Sequence, residues 1–413
     1  MDGFLTIGHP AAVKAVRAML GSSVPHALLI SGPASVGKVS LALDLAAGLL
    51  CSGAVGADRP CRTCRTCRMV EHGNHPDLHW LLPTGAGQQI QVGNDDSPEP
   101  GTVRGLAADL VLLAMEAGQR VVIVRDAQQA NEVAQNALLK LLEEPPPGTT
   151  IILCTDDEEV MLPTIKSRCA RLRLGTVAIP DTERLLSDRG LADPPTAARL
   201  ARLTGGRAGL AVAYAVAPDA VTIRGELARS LLDLLAAGPA ARLAAARLLQ
   251  ARAGDLAAQL EQALAVPPPD PEGAAGRRGK ARGAAKPAGG DDPTDTGETA
   301  SAAETASAAE ADTPDSPAKA TAKDRRRSTA QLLEIWRDIA RDLVLAERGA
   351  RRTVRDPALL EELEAAARDL PPGAAATFLS RIAEADGLVK GNVTPELLLD
   401  VLLLAWPRRR AAA

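Results

Sequence analysis

Aromatic side chains are almost missing from this chain of 413 residues: Phe4, Trp80, Tyr214, Trp336, Phe378 and Trp406 are the full set. Cores must therefore be built from Leu, Val, Ile and Ala, which long helices do best, so a mostly helical protein is expected. No window holds 18 unbroken apolar residues, so no membrane-spanning helix is indicated. Met1–Pro10 lacks the basic stretch that opens a secretory signal, and the cytoplasm is the expected compartment. Lysine is scarce beside arginine, 9 against 38, a bias of GC-rich coding and not a sign of function. With a net charge of −4 there is no global footprint for nucleic acid, and any such contact has to be local.

What is present is ample apolar material. A hydrophobic fraction of 46% excludes disorder throughout, and the length suits two or three domains. Ala27–Ser31 (ALLIS) is a buried-strand candidate that runs into a glycine loop, Gly32–Lys38, followed by a helix-period segment over Val39–Leu50. Val121–Val124 and Ile151–Cys154 are two more strand candidates, separated by a helix over Asn131–Glu144 that Pro145–Pro147 terminates. The alternation predicts a parallel sheet covered by helices. After about Leu174 the strand signals vanish. Helices are expected at Asp181–Arg189, Thr196–Thr204, Ala208–Ala217, Asp219–Ala237 and Ala240–Ala265, and again from Ser328 to Trp406.

Between them the composition collapses. Pro267–Arg327 has no Val, Ile, Leu, Met or aromatic residue but eight prolines, and Glu298–Glu310 repeats itself as ETASAAETASAAE. Such a stretch cannot bury enough apolar surface to offset chain entropy, so a disordered linker is expected. Its charges come in blocks, basic, acidic and basic again, which suits a solvated tether or one that binds DNA or a partner.

Three motifs carry chemistry. Gly32-Pro33-Ala34-Ser35-Val36-Gly37-Lys38 fits G-x-x-x-x-G-K, whose backbone amides cradle phosphates while the lysine reaches the terminal ones. The Mg²⁺-ligating hydroxyl should come next, but Val39 occupies that position, and Ser40 lies about 100° further round the helix. The residues leave two readings: a loop that binds ATP or ADP through Gly32, Gly37 and Lys38, or one retained and empty. After the strand Val121–Val124, Arg125-Asp126-Ala127 stands where hydrolysis needs an acidic pair. Arg125 replaces the metal carboxylate, so no ATP hydrolysis is expected. Cys51, Cys61, Cys64 and Cys67, spaced C-x9-C-x2-C-x2-C, predict a closed structural Zn²⁺ site. Arg59, Arg62, Arg65 and Arg68 are expected to offset its negative charge. His72, His75 or His79 would be the alternative ligands. Cys154 and Cys169 read as small core residues. Ser167-Arg168-Cys169 holds an arginine that is either a salt-bridged surface residue or a finger directed at a neighbour's phosphates.

Taken together, HALLISGPASVGK (His26–Lys38), the cysteine insert, NHPDL (Asn74–Leu78), NALLKLLEEPPPGTTIIL (Asn136–Leu153) and LPTIKSRC (Leu162–Cys169) resemble the bacterial DNA polymerase III clamp-loader subunits, of the AAA+ group. The match covers about residues 1–215 well. The rest matches weakly, through Trp336-Arg337-Asp338 and Gly391-Asn392-Val393. Val39 and Arg125 resemble the non-hydrolysing delta-prime type more than the gamma/tau ATPase. The resemblance implies an α/β fold followed by an all-α region: a RecA-like domain with the zinc insert (1–175), a helical lid (176–217) and a helical collar (218–413) interrupted at 267–327. It implies gamma/tau and delta subunits as partners, with the sliding clamp and primed DNA in the assembled complex, and a trans role for Arg168. The rival readings are an active gamma/tau-type ATPase and a zinc-dependent DNA-binding protein with a decayed P-loop.

Overall fold

The apolar run Ala27–Ser31 forms strand β1, buried along its whole length. The computed structural model describes residues 3–84, 89–94, 97–111, 114, 118–264, 321–389 and 393–409. Strand β1 lies inside a five-stranded parallel sheet with β2 (Leu78–Leu81), β3 (Arg120–Val124), β4 (Thr149–Thr155) and β5 (Ala170–Arg173), in the order β2-β3-β4-β1-β5. Helices cover both faces, which is why the central strands are continuously apolar and do not alternate. Leu28 and Ile30 pack with α1 (Pro10–Gly21), α2 (Lys38–Leu50) and α3 (Arg65–Glu71) on one side. Ala27 and Leu29 pack with α4 (Val103–Val111), α5 (Glu132–Glu143) and α6 (Pro163–Arg168) on the other. The chain thus opens with an α/β domain built on a parallel sheet.

Two strands escape the sequence reading. β2 is four residues, LHWL, and β5 reads ARLR, with Arg171 and Arg173 exposed. Both lie at the edges of the sheet, where one row of backbone groups and part of each side-chain face remain in contact with solvent, so neither needs the apolar run that betrays a central strand. The three strands that were legible are the three that are interior.

Beyond β5 the structure is helical: α7 (Ile179–Asp188), α8 (Pro194–Leu203), α9 (Ala208–Val216), α10 (Pro218–Asp233), α11 (Pro239–Leu264), α12 (Ala322–Glu347), α13 (Leu360–Asp369), α14 (Ala374–Val389) and α15 (Pro395–Ala405). Apolar residues of α7–α9 and of α10–α15 belong to one continuous cluster, running from Leu186 through Tyr214 to Trp406. Ion pairs join the same two groups of helices: Arg207 with Glu334, and Arg199 with Asp356 at 3.5 Å. Beneath them Arg224 and Asp338 form a buried pair at 2.8 Å, which Arg355 also joins.

The scarce aromatics are not scattered. Trp336, Phe378 and Trp406 meet in the centre of the helical core with ring centroids 4.6–5.4 Å apart. That corrects the expectation of a core made from aliphatic residues alone, because half of the aromatic set is spent at one point. Arg242, fully buried, donates to the carbonyls of Ala237, Leu403, Trp406 and Pro407. It satisfies acceptors that the end of α15 leaves without a helical partner.

Residues 265–320, which hold most of the expected linker, lie outside the described residues, as do Gly391 and Asn392. Its last residues do not match the expectation. Thr321 caps α12 through a reciprocal box with Asp324, at 3.2 and 3.0 Å, so 321–327 continue a helix and are not tether. Arg327 with Glu261 and Arg325 with Glu396 hold that first turn against α11 and α15. Polar composition hid the turn, since capping boxes and ion pairs, not buried apolar area, stabilise it. Trp336→Ala should lower stability by about 3–5 kcal/mol, read as an earlier denaturant midpoint by circular dichroism; an unchanged midpoint would show the aromatic centre to be dispensable.

Candidate functional site

The cysteine module grows from the end of α2. Cys51 follows the last residue of that helix, Cys61 and Cys64 lie in the loop beyond, and Cys67 sits in the first turn of α3. The four sulfur atoms lie within 4.8 Å of one another. Tetrahedral zinc, with Zn–S of about 2.3 Å, needs S–S edges of ~3.8 Å, so the donor set fits such an ion with little adjustment. The Cys64 amide donates to Cys61 Sγ at 3.4 Å and the Cys67 amide to Cys64 Sγ at 3.3 Å. Burial opposes ionisation of Cys64, but the amides of Cys67 and Ser52 outweigh it and bring the thiol down to about 5. The hydroxyl of Thr63 lowers Cys61, whereas burial pushes Cys67 up. At Gly53 a Cβ would stand 2.9 Å from Cys61 Sγ, so only glycine lets the backbone pass so close.

The surroundings differ from the sequence expectation in two respects. Arg62 does not serve the thiols: its guanidinium pairs with Asp44 and donates to the Gly3 carbonyl at 2.7 Å, while Arg59 donates to Ala54 O at 2.7 Å. A fully buried carboxylate has a stronger claim on a cation than half-exposed sulfurs do. Two of the histidines are also engaged elsewhere, His72 Nδ1 with Arg68 O at 2.7 Å and His75 Nδ1 accepting from the Asp77 amide at 3.0 Å. Among the described residues the cluster is the four cysteines alone. Cys154 and Cys169 are buried as expected, and burial pushes the Cys169 thiol up to about 11.

The glycine loop connects β1 to α2 as its motif predicts. Gly32 and Gly37 have φ of +149° and +108°, and a Cβ on Gly32 would meet Leu174 O at 2.1 Å. Lys38 is buried and donates to the carbonyls of Gly32 and Pro33 at 2.8 and 2.6 Å; its ion partner is Asp156, at 2.5 Å. The loop is also held from two sides: the Gly209 amide of α9 donates to Ser35 O at 2.7 Å, and His9 Nε2 meets Val36 O at 2.8 Å. Val39 packs against the apolar cluster and Ser40 is exposed, so position 39 offers no hydroxyl to a metal.

Beside the loop, Arg125 Nε lies 3.2 Å from Asp126 Oδ2. Burial pushes the Asp126 carboxyl up, with Arg125 opposing. Lys38, Asp156, Arg125 and Asp126 thus form a neutral set of two cations and two anions. Asp156, Asp44, His9 and Gly209 were not singled out from the sequence. Asp156 had a legible signal: it follows β4 directly, and β4 pairs with the strand that carries the glycine loop.

Arg168 ends α6. It pairs with Glu143 Oε1 at 2.6 Å and donates to Thr164 O at 3.1 Å, so the structure does not bring it to Lys38 of its own chain.

Residues 8–178 match the family described as DNA polymerase III, delta subunit. The delta' subunit of Pseudomonas aeruginosa is 37% identical over 151 residues, which are 35% of this chain and 42% of that protein. The delta' subunit of Bacillus subtilis is 33% identical over 147 residues, 36% of this chain and 41% of that protein. The tau subunit of Salmonella typhimurium is 30% identical over 181 residues, 43% and 26% of the two chains. The chain spans less than half the length of the curated relatives it matches.

Full-length protein is expected to carry one zinc per chain by elemental analysis, and Cys64→Ser none. A Cys64→Ser protein that kept stoichiometric zinc would contradict the four-thiol site.

Proposed function

We propose, from the match of residues 8–178 to the family described as DNA polymerase III, delta subunit, and from the likeness to delta' subunits, that the whole chain works as a non-hydrolysing member of a DNA polymerase III clamp loader. Its partners are gamma/tau and delta subunits, and the assembly places a sliding clamp on primed DNA. The cysteine module holds a structural zinc, and the protein acts in the cytoplasm; no helix among the described residues is long and apolar enough to cross a membrane.

The observation that carries the non-hydrolysing role is the charge arrangement at the glycine loop. Hydrolysis needs a hydroxyl and a carboxylate on Mg²⁺ and a second carboxylate or equivalent on the attacking water. Here Val39 removes the hydroxyl, Arg125 puts a cation in the metal's place, and Asp126 is tied to that cation at 3.2 Å. A guanidinium there repels Mg²⁺ by the same Coulomb term that a carboxylate uses to attract it. ATP or ADP, if held by Gly32, Gly37 and Lys38, stays unhydrolysed.

Arg168 supplies its charge in trans, to phosphates bound by the adjoining subunit. Its exposure and its place at the end of α6 suit that role. Purified protein should show ATP turnover no higher than a protein-free blank, and Lys38→Ala should leave it there; turnover abolished by Lys38→Ala would instead establish the ATPase reading. In the reconstituted loader, Arg168→Ala should cut turnover at the facing site by about 10³-fold or more in single-turnover measurements, with assembly intact by size exclusion. Full turnover in that variant would remove the trans role.

A further inference from the structure

Glu143 is the last residue of α5, where the negative end of the helix dipole makes a carboxylate unwelcome. The helix cannot move its end past this point, because Pro145–Pro147 follow. Arg168 is the partner that offsets the charge, Nη2 to Oε1 at 2.6 Å, and it stands on the neighbouring helix α6. Both groups are partly exposed, 37% for Arg168 and 46% for Glu143, and a pair so placed contributes little to folding stability. A stability role does not account for it.

The two helices are themselves locked together. Buried Gln135, in the first turn of α5, donates to the Ala130 and Val160 carbonyls at 3.0 and 3.3 Å and accepts from the Leu162 amide at 2.8 Å. Leu162 caps α6, and Ile165 buries its side chain in the cluster that Leu138 and Leu142 of α5 share. The start of α6 is therefore anchored near the start of α5. Glu143 lies eight residues further along α5, ~12 Å, and Arg168 six residues beyond Leu162, ~9 Å at helical rise. The ion pair closes the far end of the same helix pair.

Building on the trans role proposed for Arg168, we infer that Glu143 is the positioning residue that holds its guanidinium ready for a neighbouring subunit's phosphate. Arginine is rich in rotamers, and a planar fork held in place loses less freedom when it meets an anion. Glu143 and the Thr164 carbonyl occupy one hydrogen each on the two Nη nitrogens. A guanidinium has five N–H donors, so others stay available to a second anion. The exposed pair is weak enough to yield to a phosphate and directional enough to select the side chain's orientation.

The test is a double-mutant cycle in the loader reconstituted with gamma/tau and delta subunits, with single-turnover ATP hydrolysis as the readout. Glu143→Ala should lower the rate about threefold to fivefold, leave assembly and melting temperature unchanged, and add nothing in the Arg168→Ala background. Equal losses in both backgrounds, or no loss at all, would overturn the positioning role while leaving the trans role of Arg168 in place. A faster rate would overturn it too, by showing that Glu143 masks the arginine. If Arg168→Ala itself leaves the rate unchanged, the trans role fails and the inference falls with it.

Discussion

The carboxylate of Asp44 is the point on which three parts of the N-terminal domain agree. It has no solvent exposure, and it accepts from the amides of Leu5 and Thr6 at 3.0 and 2.8 Å, from the Thr6 hydroxyl, and from Arg62. A buried anion left without these donors would be costly, so its position in α2 obliges the N-terminal segment and the cysteine loop to come to it. Arg62 sits between Cys61 and Cys64, and its second bond, to Gly3 O, ties the same segment again. Continuing from Thr6, that segment places Gly8 against Val177 and delivers His9 to the glycine loop. The cysteine module, the glycine loop and the entry to the helical region are thereby connected through one side chain.

The glycine loop combines a defined backbone geometry with a closed set of charges beside it. The strand, the two positive-φ glycines and the lysine are all where a phosphate-binding loop has them. Beside them stand valine at 39 and arginine at 125. Lys38 is balanced by Asp156, and Arg125 by Asp126, so the set closes on itself electrostatically. On α6 and β5, Arg168 pairs with Glu143, and Arg171 and Arg173 both pair with Glu158, with the arginines exposed or half-exposed.

The helical region shows the same economy in its packing. A chain with six aromatic residues places three of them in one contact between α12, α14 and the end of α15. Around it the apolar cluster runs without a break from α7 to α15. Helices α7–α9 therefore share a core with α10–α15, and Arg207–Glu334 and Arg199–Asp356 reinforce that union. Helices α11 and α12, which flank residues 265–320 in the chain, pack against each other.

The sequence by itself determined the interior strands, the glycine loop, the four-cysteine set and the helical character after Leu174. Each of these is written in local pattern or spacing: apolar runs, glycines at fixed offsets, thiols two residues apart. It missed the edge strands β2 and β5, because an edge needs no apolar run, and the first turn of α12, because a capping box is polar. Only the tertiary structure decided that Arg62 serves Asp44 and not the thiols, that Lys38 meets Asp156, and that Arg168 is paired with Glu143. The physical reason is common to all three. A charge selects its partner by distance and burial, and residues 18, 118 and 25 positions apart in the chain become neighbours only after the sheet and helices have formed.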